Sequence, residues 1–202
     1  MTPRGGSPVV RLSAYLFPMA SLFTHPIVPL TLGFALGSKR LPVRYWLLGA
    51  IASMAADADV VAFALRIPYE SQFGHRGATH SIFFAIMLAA LMTLRERRHF
   101  PAHALLFGYL FVSAISHPLL DMLTDGGLGI ALFWPFSTER FFFPATPIAV
   151  SPIGAAFFSA EGAGVVMSEL EWIWIPCAAF AMLTMILRKR RHGIAATDIF
   201  PN

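Results

Sequence analysis

The sequence predicts an all-α, polytopic membrane protein of about five transmembrane helices, with an interfacial or re-entrant segment between helices four and five. Two observations carry this. Of the 202 residues, 56% are hydrophobic and 13% are charged, against roughly 25% charged in a soluble domain. The apolar residues also fall in runs close to the roughly 20 residues that a span requires. The 15 prolines and 15 glycines are spread through those runs, and membrane helices tolerate both better than soluble helices do. The formal net charge is +4, yet the cations form short clusters between apolar runs, which argues against a nucleic-acid-binding face. The one cysteine, Cys177, sits within an apolar run and excludes an intramolecular disulfide. The length suits a single membrane-embedded domain over residues 1–202, with no soluble module.

The elements follow in order. The first apolar segment is residues 12–36, interrupted by Pro18, Pro26 and Pro29. Arg4 and Arg11 ahead of it have the look of a signal peptide, but no convincing cleavage site follows, so an uncleaved first helix is expected. The second segment, 45–65, carries Asp57 and Asp59 in its C-terminal half. The third, 81–94, is short for a span unless Gly77 to His80 extend it. The fourth, 102–123, contains His117 and Asp121, and the fifth, 170–187, is clean apart from Glu171 at its start. Residues 124–169 are rich in Phe, Pro and Gly, and Phe133, Trp134, Phe136 and Phe141, Phe142 and Phe143 suit headgroup-level anchoring.

Charge asymmetry sets an orientation. Lys39, Arg40, Arg44, Arg95, Arg97, Arg98, Arg188, Lys189, Arg190 and Arg191 fall on one side, ten in all, and Arg4, Arg11, Arg66, Arg76 and Arg140 on the other. The positive-inside rule then makes the C-terminus cytoplasmic and the N-terminus external. On that topology His25, Asp57, Asp59, His75, Arg76, Thr79, His80, His117 and Asp121 all converge on the outer side. His99, His103 and His192 lie on the opposite side and are excluded, while Glu139, Glu161, Glu169 and Glu171 read as solvated charges.

A charge within a membrane helix costs roughly 2.5–3.5 kcal/mol even on the lenient insertion scale, so each such residue is a functional hypothesis. His117 and Asp121 are four apart, which places imidazole and carboxylate on one helix face. Those are donors for Zn²⁺ or Mn²⁺. His75 and His80 bracket Gly77 and Thr79, and a bent loop would turn both inward. Asp57 and Asp59 point to different faces of a regular helix unless it unwinds there; one would bind metal while the other orients a histidine or bridges to a second ion. Arg76 beside His75 suits capture of a phosphate or carboxylate.

These residues carry a resemblance. His25, the Asp57-Ala58-Asp59 pair, the run from His75-Arg76-Gly77 through Thr79-His80-Ser81, the run His117-Pro118 through Asp121 and Thr124 to Gly126-Gly127, and Trp134-Pro135-Phe136-Ser137 occur in this order. The whole resembles the family of membrane-bound metal-dependent hydrolases, whose bacterial members include a LexA-regulated inner-membrane protein. It covers residues 25–143, and the H-R-G-x-T-H-S and H-x-x-x-D-x-x-T-x-x-G elements are specific together. The family is distantly similar to zinc-dependent phospholipase C and P1-type nucleases, which hold zinc with His and Asp in a helical fold. The resemblance implies an inner-membrane hydrolase with one or two zinc ions, manganese being the alternative.

The expected ligands are His25, Asp57, His75, His80, His117 and Asp121. Asp59 and Arg76 are the expected catalytic groups, as general base and oxyanion holder, and Thr79 and Thr124 join Arg76 in contacting substrate. A site at the outer leaflet fits a phosphoester in a membrane lipid or lipid-linked substrate. Two alternatives stand beside this one. The first is an ion- or proton-coupled transporter using Asp57, Asp59 and His117 as a relay, which no inverted repeat supports. The second is a non-catalytic membrane protein with a structural metal site. An intramembrane protease of the H-E-x-x-H type is excluded, because that motif does not occur.

Overall fold

A computed structural model describes residues 23–151 and 158–197, the last seven by backbone alone. The start of the first expected helix, with Pro18 and the Arg4 and Arg11 flank, lies outside the described residues. The helices are α1 (Ile27–Leu36), α2 (Val43–Met54), α3 (Val61–Ala64), α4 (Ile82–Glu96), α5 (His103–Asp121), α6 (Ala160–Glu169) and α7 (Ile175–Thr197), and all but α6 lie in the apolar runs. Three continuous stretches are long and apolar enough to cross a membrane: Val43–Ala64, His103–Asp121 and Ala160–Arg190. Among the described residues there are no strands, only isolated bridges pairing Thr124 with Ile148 and Ile130 with Phe141.

Three departures from the sequence reading have local causes. Between α2 and α3 the chain tightens into a 3-10 helix, Ala55–Val60, which holds both aspartates. The third segment is not extended by Gly77 to His80. Instead Ala78–His80 form a separate 3-10 turn, and Ser81 breaks into extended backbone and caps α4, accepting the Phe84 N–H. The fifth span starts at Ala160 rather than 170. Ser159 caps its N-terminus, and a π-helical turn, Leu170–Trp174, joins α6 to α7. The interfacial stretch therefore ends earlier than expected, and its aromatic residues Phe133, Phe136, Phe142 and Phe143 are exposed.

The core sits where α5 packs on α4 and α2, with α1 laid across α2 and α5 and α7 beside α1. Leu41, Tyr45, Ala52, Ala85, Ala89, Leu106, Tyr109, Leu110 and Ala114 form its buried centre. Small residues let the helices approach, because in lipid packing must replace the hydrophobic drive. Gly49 is one of them: a Cβ there would collide with the Tyr109 ring. Tyr109 Oη then donates across the interface to the Pro29 carbonyl at 2.9 Å. The long Ala160–Arg190 stretch has only 6% of its apolar window buried, as a lipid-facing helix requires.

Candidate metal centre

Four elements meet at one end of this bundle: the residues before α1, the 3-10 turn after α2, the turn before α4 and the C-terminal end of α5. Each contributes an ionisable side chain. His25, His75, Arg76, His80, His117 and Asp121 are fully buried, and Asp57 and Asp59 are 7% exposed. Burying so many charged groups is costly unless they satisfy each other or an ion.

The 3-10 winding explains how two aspartates two residues apart share one site. Asp57 faces α5, with Oδ1 3.2 Å from His117 Nε2 and 3.7 Å from His80 Nε2. His80 Nε2 and His117 Nε2 are 3.2 Å apart. Asp121 Oδ2 closes the set, 3.5 Å from His80 Nε2 and 3.6 Å from His117 Nε2. Five of the six donor–donor edges thus lie between 3.2 and 3.7 Å. A tetrahedral ion with bonds of about 2.0–2.1 Å has edges of about 3.3–3.4 Å. Neither oxygen of Asp57 holds a hydrogen bond. The donor set Asp57, His80, His117 and Asp121 therefore fits a divalent ion.

Asp59 plays a different part. Its Oδ1 lies 2.7 Å from His75 Nδ1, and its Oδ2 lies 3.1 Å from His80 Nδ1. The same Oδ2 accepts the Thr79 hydroxyl at 2.6 Å and the Arg76 backbone N–H at 3.1 Å. A carboxylate bound to Nδ1 of a ligand histidine fixes its tautomer and turns Nε2 to the ion. Asp59, His75 and His80 converge closely enough to be a second donor group. In this structure Asp59 and His75 stand at hydrogen-bond distance, 2.7 Å.

The remaining site residues fall around this core. His75 stands between Phe63 and Tyr69, at ring distances of 5.6 and 5.5 Å, and its Nε2 has no hydrogen-bond partner. The buried Tyr69 phenol is pushed up from its ordinary value by desolvation, against the pull of nearby Arg76. His25 reaches the centre by stacking on His117 at 3.7 Å, with Nε2 3.8 Å from Asp121 Oδ1. It lies outside the four-donor set.

Arg76 occupies the left-handed region, with φ 61°, a position that costs about 1–3 kcal/mol and persists only where its surroundings hold it. Its N–H goes to Asp59 and its carbonyl accepts from Ala131 at 3.0 Å. Nη1 donates to the Gly126 carbonyl at 2.7 Å, Nη2 to Thr124 Oγ1 at 3.1 Å, and Nε faces Asp121 Oδ2 at 3.5 Å. The guanidinium thus serves the protein's own oxygens rather than presenting an open fork. Thr124 Oγ1 in turn donates to the Asp121 carbonyl at 2.7 Å, so Thr79 and Thr124 both brace the site. Gly127 has φ +88°, and a Cβ there would stand 2.6 Å from Arg76 Nη1. Only glycine fits both the conformation and the space.

Two residues escape sequence reasoning. Arg140 donates to the carbonyls of His75, Gly129, Tyr69 and Ser71, tying the loop before α4 to the interfacial stretch. Nothing in its sequence context marks it. Glu169, expected to be a solvated charge, is instead buried. Thr24 Oγ1 donates to its Oε2 at 2.8 Å and accepts from Trp174 Nε1 at 3.0 Å. The π-helical turn brings positions 169 and 174 to one hydroxyl, next to His25. Starting the fifth helix at 160 would have made Glu169 an intramembrane carboxylate in need of a partner.

Comparison with known proteins decides the family. The model of the YdjM inner membrane protein family matches residues 19–193. The chain belongs to the YdjM inner membrane protein family. YbcI, an inner membrane protein of Escherichia coli strain K12, is 41% identical over 175 residues, which is 86% of this chain and all of YbcI. The YdjM proteins of Escherichia coli K12 and of Shigella flexneri are 41% identical over 73 residues, 34% of each chain. No solved structure is a significant match. Together with the apolar helices, this membership makes the chain an integral inner-membrane protein of the YdjM family.

Proposed function

We propose that this YdjM-family chain is a membrane-embedded, metal-dependent hydrolase that cleaves a phosphoester in a lipid or lipid-linked substrate. The observation that carries the reading is the buried group of Asp57, His80, His117 and Asp121, in which five of the six donor–donor distances lie between 3.2 and 3.7 Å. A divalent ion bound there, zinc first and manganese second, would supply a water of lowered pKa and Lewis-acid polarisation of a phosphoryl oxygen. Asp57, His80, His117 and Asp121 would hold it. Asp59 orients His75 and His80 through their Nδ1 atoms. Arg76 balances the charge of Asp121, and Thr124 fixes Arg76 in turn. The apolar surround excludes bulk water, which strengthens each of these interactions. Ten of the fifteen Lys and Arg residues favour the opposite side, which supports a site at the outer leaflet, facing the periplasm.

A second reading has its own support. Four protein donors at tetrahedral spacing also describe a closed structural site, whereas a catalytic zinc keeps one position open. A larger coordination number, as manganese prefers, would leave positions for water with the same four donors.

The test is metal analysis and activity on purified protein. Wild type is expected to retain about one divalent ion per chain and to release phosphate or a phosphorylated headgroup from lipid substrates. His117→Ala is expected to lose both. Unchanged metal content in that variant contradicts the donor set; metal retained by wild type with no phosphoester cleavage favours the structural reading.

A further inference from the structure

The end of the bundle away from the metal centre carries a feature that the centre does not use. A cavity of about 590 Å³ opens where the C-terminal end of α1 meets α7, within the roughly 300–1,000 Å³ usual for small-molecule sites. Its lining holds three cations, Lys39, Arg40 and Arg188, two hydroxyls, Ser38 and Thr184, and apolar surface from Leu187. Among the described residues no carboxylate lines it. Among the described residues neither Lys39 nor Arg40 has an ion pair.

Arg188 is fixed in the wall. It donates to the Phe34 carbonyl at 2.8 Å and to the Ala35 carbonyl, two of the end-of-helix carbonyls that α1 leaves without intrahelical partners. Gly37 has φ +82°, and a Cβ there would stand 3.1 Å from both terminal nitrogens of Arg188. Glycine lets the guanidinium lie against the chain and keeps it at the cavity. Three cations lining one cavity repel each other, and an anion in the cavity relieves that repulsion.

The surroundings choose among anions. Beside Leu187, the exposed Leu183 and Ile186 continue the apolar face of α7 away from the cavity. A ligand with a phosphate in the cavity and hydrocarbon along α7 satisfies both surfaces. We propose that this cavity is a binding site for the phosphate headgroup of an anionic membrane phospholipid. Basic pockets between membrane helices recognise such headgroups through this combination of charge and apolar wall. The proposal stands independently of the metal centre.

Native mass spectrometry of the full chain released from detergent tests it, with phosphatidylglycerol or phosphatidylcholine added at equal concentration. The wild type is expected to retain phosphatidylglycerol in preference to phosphatidylcholine. In the double variant Lys39→Gln/Arg40→Gln, both positions being exposed, phosphatidylglycerol binding should weaken on the order of tenfold or more. Thermal unfolding of the variant at wild-type temperature confirms that the fold is retained. Equal retention of the two lipids by wild type, or an unaltered preference in the folded double variant, overturns the proposal. Displacement of phosphatidylglycerol by millimolar inorganic phosphate also overturns it, since the site would then belong to a soluble anion.

Discussion

Asp121→Asn is expected to be the most damaging single substitution in the chain, through two separable effects. The first is loss of a metal donor, since Asp121 Oδ2 lies 3.5 Å from His80 Nε2 and 3.6 Å from His117 Nε2. The second needs no metal. Asp121 and Arg76 are both fully buried, with Arg76 Nε 3.5 Å from Asp121 Oδ2. Removing one partner of a buried pair typically costs about 3–5 kcal/mol, because the other charge is left uncompensated. Unfolding in detergent with excess chelator isolates this second effect. The metal-free variant should unfold well below the metal-free wild type. The double variant Arg76→Met/Asp121→Asn should recover part of the loss, since it removes both charges. Equal stability of single variant and wild type in chelator would show that the pair contributes nothing.

Asp59→Ala is expected to weaken metal binding about 10–100-fold, the usual effect of losing a group that orients ligands. Asp59 is not one of the four donors. It is the common acceptor for His75 Nδ1, His80 Nδ1, the Thr79 hydroxyl and the Arg76 N–H. Without it His80 can adopt the other tautomer and swing its Nε2 out of the donor set. Chelator-competition titration measures the change. A metal affinity unaltered within twofold would make Asp59 dispensable to the centre. A loss as complete as that expected for His117→Ala would make it a ligand.

Much of this was legible in the sequence, and the physical reasons differ between elements. The pairing of His117 with Asp121 followed from helical periodicity alone, because both sit within one regular helix. The convergence of four elements on one end followed from topology, since each apolar run reverses direction and the ionisable residues recur near the same end. The separate parts of Asp57 and Asp59 did not follow. They depend on a 3-10 segment that no helix-breaking residue announces, and which places the two carboxylates on neighbouring sides of His80. The bracing parts of Arg76, Thr79 and Thr124 were equally hidden, because an arginine or threonine beside a metal motif suits substrate or scaffold alike. Glu169 reads as a surface charge with a fifth helix over 170–187, whereas the helix begins at Ala160 and makes it a buried intramembrane carboxylate. His25 was legible as a member of the cluster but not as a ring stacked on His117, a contact that periodicity cannot express.

Asp57, His80, His117 and Asp121 are expected to hold one divalent ion. X-ray absorption at the metal edge, on purified protein dialysed free of loosely bound ions, tests it most directly. The expected first shell is two imidazole nitrogens at about 2.0–2.1 Å and two carboxylate oxygens at about 2.0–2.2 Å for zinc, with any further scatterer a water oxygen. A first shell without imidazole, or protein that retains no ion after dialysis, would contradict it.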